Sequence, residues 1–161
     1  MKKIIYTLII FFAFTNNSFS AGTSNDSSND SSKYTKAHNL IKAAKKYEKK
    51  GKTEKALNRY LKAQKLLIES NKKDPLQADT LNYLGFTTRK LGDYKKGEAF
   101  YLQGLKIDPN HNGINEYLGE LYVVTGRINL AKERLEVLKN CSCDEYNELK
   151  EIIDGTKKSK Y

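Results

Sequence analysis

Two cysteines, two histidines and a large excess of lysine are the groups in this 161-residue chain that could do chemistry. Cys141-Ser142-Cys143 sets two thiols one residue apart. Such a pair can close a small ring by disulfide formation, and strain in a small ring makes the bridge easier to reduce. A structural bridge is the default reading of Cys141 and Cys143. Free or intermolecular thiols, and redox or metal chemistry, stay open beside it. The redox reading lacks C-x-x-C spacing and a strand-to-helix context, and two thiols with no nearby His fall short of a zinc site. His38 and His111 complete no Ser/His/Asp arrangement and no paired-His metal site. Gly85, Gly92, Gly97 and Gly104 are spread out rather than clustered in a phosphate-binding loop. We therefore expect no enzyme, no metal and no cofactor.

The lysines point to partners instead. The chain carries 29 Lys+Arg against 19 Asp+Glu, a formal net charge of +10. Residues 33–74 hold 14 basic and 4 acidic side chains, while the later part of the chain is balanced. A patch of this kind attracts an anionic lipid or polymer surface in a salt-sensitive way. Its plainer reading is the solvated face of a helix. Nucleic acid is not expected. A mean hydropathy of −0.70 excludes a membrane bundle, and the length allows one modest domain.

The elements that position these groups follow from composition and period. Lys2 and Lys3, the apolar run Ile4 to Phe14 and a small-residue stretch ending at Ser20 have the order of an export signal, so residues 1–20 are read as a signal peptide. That implies a protein that is exported, periplasmic or secreted, and soluble after cleavage. Residues 21–33 are Ser/Asn/Asp-rich and read as a disordered linker. Beyond them a 34-residue shift lays Leu84 on Leu118, Gly85 on Gly119, Gly92 on Gly126, Gly97 on Ala131 and Tyr101 on Leu135. An earlier copy places Leu40, Ala44, Tyr47, Gly51, Ala56 and Tyr60 in the same slots, separated from the next by seven extra residues, Asn71 to Gln77. Glycines 51, 92 and 126 are expected to end first helices. Thr53 and Asp93 are expected to cap second ones, and His38 to open the first helix. Tyr146, Leu149, Ile152 and Ile153 recur at helical spacing and predict a final capping helix over 144–154.

Small residues at these slots with a 34-residue period resemble the tetratricopeptide repeat (TPR), and the chain is similar to small exported bacterial proteins of that family. The resemblance implies an all-α, TPR-type helical solenoid over 34–156. It places repeats at about 37–70, 78–111 and 112–143, the capping helix at 144–154 and a basic tail at 157–161. It also implies a non-catalytic adaptor in the cell envelope that takes a peptide or helix of another protein in the concave groove. Carried over slot by slot, the groove comprises Ile41, Lys45 and Glu48, then Asn82, Phe86 and Arg89, then Glu116, Glu120 and Val123. In that reading Phe86 is an exposed apolar anchor, Lys45 and Arg89 orient a carboxylate, and Asn82 bonds a peptide backbone. The Lys/Asn/Arg set that clamps chaperone tails in one branch of the family is not reproduced. The alternative function is electrostatic docking of the Lys-rich first repeat on an anionic lipid or polymer surface. Self-association through an uncapped solenoid end is also open.

Overall fold

The protein was analysed as a computed structural model that describes the backbone of residues 26–159 and the side chains of residues 33–159. The signal-peptide reading of residues 1–20 lies outside the described residues. Among those described there are seven helices and no strand: α1 (Asp26–Glu48), α2 (Thr53–Lys73), α3 (Ala78–Lys90), α4 (Tyr94–Ile107), α5 (Asn112–Val124), α6 (Ile128–Leu138) and α7 (Asp144–Ile153). None of these helices is long and apolar enough to cross a membrane.

The second helix of the first hairpin buries one stripe, whereas α3 and α5 are buried on most sides. In α2 the buried positions are Ala56, Tyr60, Ala63, Leu67 and Ser70, spaced three or four apart, so they line a single face. That face meets Ala37, Ile41 and Ala44 of α1, and Leu81, Leu84 and Phe86 of α3 close the same core. A second core joins Tyr101 of α4, Ile114, Leu118, Leu121 and Tyr122 of α5, and Ala131 of α6. Consecutive helices pair as α1 with α2, α3 with α4 and α5 with α6, and α7 lies against α5 and α6. Leu149 and Ile152 of α7 are buried there. Small residues permit the close approach. A Cβ on Gly85 would stand 2.5 Å from Cε1 of Tyr101, and one on Gly119 would stand 2.5 Å from Cδ2 of Leu149.

Helix ends follow local chemistry, with three departures from the sequence reading. Gly51, Gly92 and Gly126 take positive φ at the exits of α1, α3 and α5. Glycine reaches that conformation at no steric cost. Asp93 caps α4 by accepting from the Lys96 N–H at 3.0 Å. Thr53 does not cap α2, whose N-cap is Lys52 with no side-chain bond. His38 does not open α1, because that helix starts twelve residues earlier, at Asp26. For the same reason residues 26–33 are helical rather than part of a linker. Composition alone hides this, since a helix packed further along can extend through a stretch whose sequence carries no apolar stripe. The inserted stretch extends α2 to Lys73 and turns at Asp74 ahead of Pro75. Cys141 and Cys143 are joined in a disulfide across Ser142, whose φ is +50°, between α6 and α7.

Candidate functional site

The first helices of the hairpins, α1, α3 and α5, touch one another in sequence along the solenoid. Their shared face carries most of the groove positions named above, and the structure sorts them into three kinds.

Lys45 sits at the centre. Its Nζ lies 4.6 Å from the centroid of the Phe86 ring and 5.4 Å from that of Tyr117, and it donates to the Tyr117 hydroxyl at 3.1 Å. A cation over two rings is attracted by their negative faces. Phe86 is not an exposed anchor. Its side chain is buried between Tyr60, 5.6 Å away and edge-on, and Tyr117, 5.1 Å away. An aromatic residue at this slot packs into the space between neighbouring hairpins, and Lys45 covers it. Phe86 still floors a hollow of about 450 Å3 walled by Lys45, Glu48, Lys49, Thr53 and Lys90. Glu48 holds that wall together, meeting Lys90 Nζ at 2.6 Å and accepting from the Tyr60 hydroxyl at 2.7 Å. Burial and this hydrogen bond push the Tyr60 hydroxyl well above its ordinary range, so it stays a donor.

Arg89 does not orient a partner's carboxylate. Its guanidinium donates to Oε2 of Glu120 at 3.1 Å and to the Tyr117 carbonyl, with both charged side chains fully buried. Ile41 is core as well, 1% exposed, and Asn82 is buried. Glu116 and Glu120 are buried, and Val123 is half-buried against the second core. Arg89 and Glu120 therefore tie α3 to α5 beneath the groove. Arg89 and Glu120 stand 31 residues apart, offset from the 34-residue repeat, so a groove reading by slot neither paired them nor distinguished a wall from its support.

The far end of the face is acidic. Carboxylate oxygens of Glu116, Glu120 and Glu148 lie within 4.8 Å of one another. Glu120 already serves Arg89 and the Ser159 hydroxyl, the latter at 3.3 Å, so we assign no ion to this cluster. A neighbouring hollow of about 370 Å3 is lined by Asp79, Asn82, Asp108, His111, Glu116 and Glu145 among others. His111 accepts the Ile114 N–H on Nδ1, and its Nε2 lies 3.1 Å from Asp79. Tyr117, between the two ends, has its hydroxyl pushed far up by burial and by Glu116. The sequence reading missed Tyr117, Lys90 and Glu148. All three lie one position or one element away from slots it did name. The arrangement joins a cation-rimmed aromatic hollow to an acid-lined one along one face, which suits a bound chain of mixed charge.

Comparison with known proteins gives fold-level likeness. No protein-family model matches the chain, and no curated protein matches it. Among solved structures, the chaperone SycD of the Yersinia enterocolitica type III secretion translocator is 17% identical, with a TM-score of 0.53. That match covers 73% of this chain and 81% of that one. The first TPR domain of Spaghetti (RPAP3), bound to the HSP90 peptide SRMEEVD, is 20% identical with a TM-score of 0.50, covering 76% of this chain and 94% of that one. Among the described residues, six helices paired into three hairpins with glycine-closed first helices, and a seventh packed on the last hairpin, form an all-α solenoid with the fold of TPR domains.

Proposed function

We infer that the protein is a non-catalytic interaction module that takes a peptide or helix of another protein along the concave face of α1, α3 and α5. One observation carries this reading. A hollow rimmed by Lys45, Lys49 and Lys90 over Phe86 shares that face with a hollow lined by Asp79, Glu116 and Glu145. Such a surface can set both the position and the polarity of a bound segment. The likeness in fold to a domain bound to a peptide, and to a translocator chaperone, supports the same class of function. The order of residues 1–20 supports placing the protein in the cell envelope, as an exported adaptor of a small bacterial type.

Capture from an envelope extract tests the reading, using Lys49→Glu and the charge-matched control Lys65→Glu on the exposed surface of α2. The expected result is a partner lost with Lys49→Glu, kept with Lys65→Glu and kept at high salt. The second reading, docking of the Lys-rich first hairpin on an anionic lipid or polymer, is favoured by the 14 basic against 4 acidic residues of 33–74. It predicts equal losses from both variants and loss in salt.

A further inference from the structure

The acid-lined hollow at the far end of the face is built by four parts of the chain. The start of α3 supplies Asp79, Asn82 and Tyr83, and the turn between α4 and α5 supplies Asp108 and His111. Gly113, Glu116 and Tyr117 come from α5, and Glu145 comes from α7. The space between them is about 370 Å3, within the range of small-ligand sites. Among the described residues no lysine or arginine lines it, although the chain carries 29 of them. Lys45 bonds the Tyr117 hydroxyl from the other hollow, the one over Phe86. His111 accepts the Ile114 N–H on Nδ1, so its Nε2 carries the proton and donates to Asp79 Oδ1, leaving the second oxygen of Asp79 for another donor. Asn82 is 5% exposed, and its Oδ1 has no hydrogen-bond partner among the described residues. Its amide stands against Gly113, where a Cβ would lie 2.8 Å from Nδ2. Glycine costs stability inside a helix; at this position of α5 it leaves the amide its place in the floor. A buried acceptor left unbonded is destabilising, and the last torsion of an asparagine is broad enough to turn that oxygen toward a donor in the hollow.

The donors that fit this floor are those of an organic cation rather than a metal ion. Of the carboxylates of the hollow only Glu116 belongs, among the described residues, to a group whose oxygens lie within 4.8 Å of one another, and its companions there, Glu120 and Glu148, do not line the hollow. Asp79, Asp108 and Glu145 are spaced for a larger charge. Tyr83 and Tyr117 add rings, whose negative faces attract an ammonium group. We propose that the hollow is a binding site for a primary alkylammonium, the end of a lysine side chain or a free amine. The carboxylates of Asp79, Glu116 and Glu145 surround the charge, Asn82 Oδ1 accepts one N–H, and Tyr83 and Tyr117 lie beside the methylenes. In the groove reading the group is a lysine of the bound segment and fixes which end of it lies toward α7. That consequence rests on the groove reading; the amine site does not.

Titration of the full-length protein with n-butylammonium chloride, followed by NMR against sodium chloride at equal ionic strength, tests the assignment. The expected result is a saturable shift of the Gly113 amide and of the Asn82 side-chain NH2. Affinity should fall several-fold for Asp79→Asn with Glu145→Gln and stay unchanged for Glu133→Gln, an exposed carboxylate of α6 outside the hollow. Asp79 is exposed and Glu145 half-buried, so the double variant should keep the melting temperature of the unsubstituted protein. If it does not, the titration of the unsubstituted protein decides alone. Absence of a saturable shift, shifts that sodium chloride reproduces, or saturation by calcium chloride in place of the amine overturn the proposal. The peptide acetyl-Gly-Lys-Gly-amide separates the sources: tighter binding than the amine assigns the site to a lysine side chain, and weaker binding assigns it to a free amine. Equal binding of acetyl-Gly-Gln-Gly-amide overturns both. Capture keeps this site and the groove reading apart. Amine binding with no captured partner supports the site and removes the groove reading, whereas a partner lost with Lys49→Glu and no amine binding does the reverse.

Discussion

At the scale of single residues, the Arg89–Glu120 pair shows how a slot that faces a ligand in the reading by sequence becomes a strut in the structure. Both side chains are fully buried, so truncating one leaves a desolvated charge. We expect Arg89→Ala to lower the unfolding free energy by about 3–5 kcal/mol in urea titration, as for other broken buried pairs. Arg89→Met with Glu120→Gln, which removes both charges and keeps the volume, should recover much of that loss. If Arg89 instead served a partner, the single variant would weaken capture while leaving stability intact. His38 offers a second test. Its ring lies parallel to Tyr34 and tilted beside Tyr83, and burial, then Lys42 and Lys45, hold its protonation below the ordinary value of 6.5. The unfolded chain therefore binds a proton more readily than the folded one. Stability is fully present above 6.5 and is lost as pH falls below it, down to the lowered folded value. His38→Gln should flatten the fall in melting temperature between neutral pH and the acid side of 6.5; an equal fall in both proteins would rule the histidine out as its source.

At the scale of elements, the hairpins were legible because their packing forces specific residue types at fixed spacing. Gly85 and Gly119 occupy equivalent slots 34 residues apart, and each faces a side chain that would collide with a Cβ. The obstacles differ. Both obstacles are fully buried, but at Gly85 it is the flat ring of Tyr101, which moves only as a whole, whereas at Gly119 it is the branched end of Leu149, whose methyls can turn aside. Gly85→Ala should therefore cost about 1–3 kcal/mol by overpacking, and Gly119→Ala less, as read by parallel chemical denaturation. The start of α1 was not legible, since Ser, Asn and Asp from residue 26 carry no apolar stripe; nor was the Lys52 cap, which uses no side chain. Cys141 and Cys143 lie where α6 gives way to α7. Closing so short a loop removes little entropy from the unfolded chain, about 1–2 kcal/mol in the loop-entropy picture. Cys141→Ser with Cys143→Ser should thus lower stability by no more than that, and a much larger loss would show that the bridge holds α7 in place.

At the scale of the whole molecule, the charge that dominates the sequence and the groove that the fold creates use different faces of the same first hairpin. Lys42, Lys46, Lys55, Lys62 and Lys65 are lysines of α1 and α2 outside the groove, whereas Lys45 lies across Phe86 and Tyr117. The distinction was not visible in a count of basic residues. It depends on which turn of α1 meets α3, and that is fixed by Ala37, Ile41 and Ala44 entering the core. The same geometry explains why Phe86, the most ligand-like residue by type, is the floor of the site rather than its anchor. The two proposed functions also separate by ionic strength. Surface lysines acting together on an anionic vesicle lose their attraction as the screening length shrinks from about 10 Å at 0.1 M salt to about 3 Å at 1 M. A segment held over an aromatic floor keeps its apolar contacts under the same change. We expect cosedimentation with vesicles of anionic lipid, if present at low salt, to vanish at high salt and to weaken equally for Lys62→Glu and Lys49→Glu. A partner bound in the groove should survive the salt and respond to Lys49→Glu alone. Vesicle binding that persisted in high salt would require an apolar contact with lipid, which among the described residues of α2 Leu57, Leu61 and Ile68 could supply, being exposed and apolar. Substituting those three with serine would then abolish it.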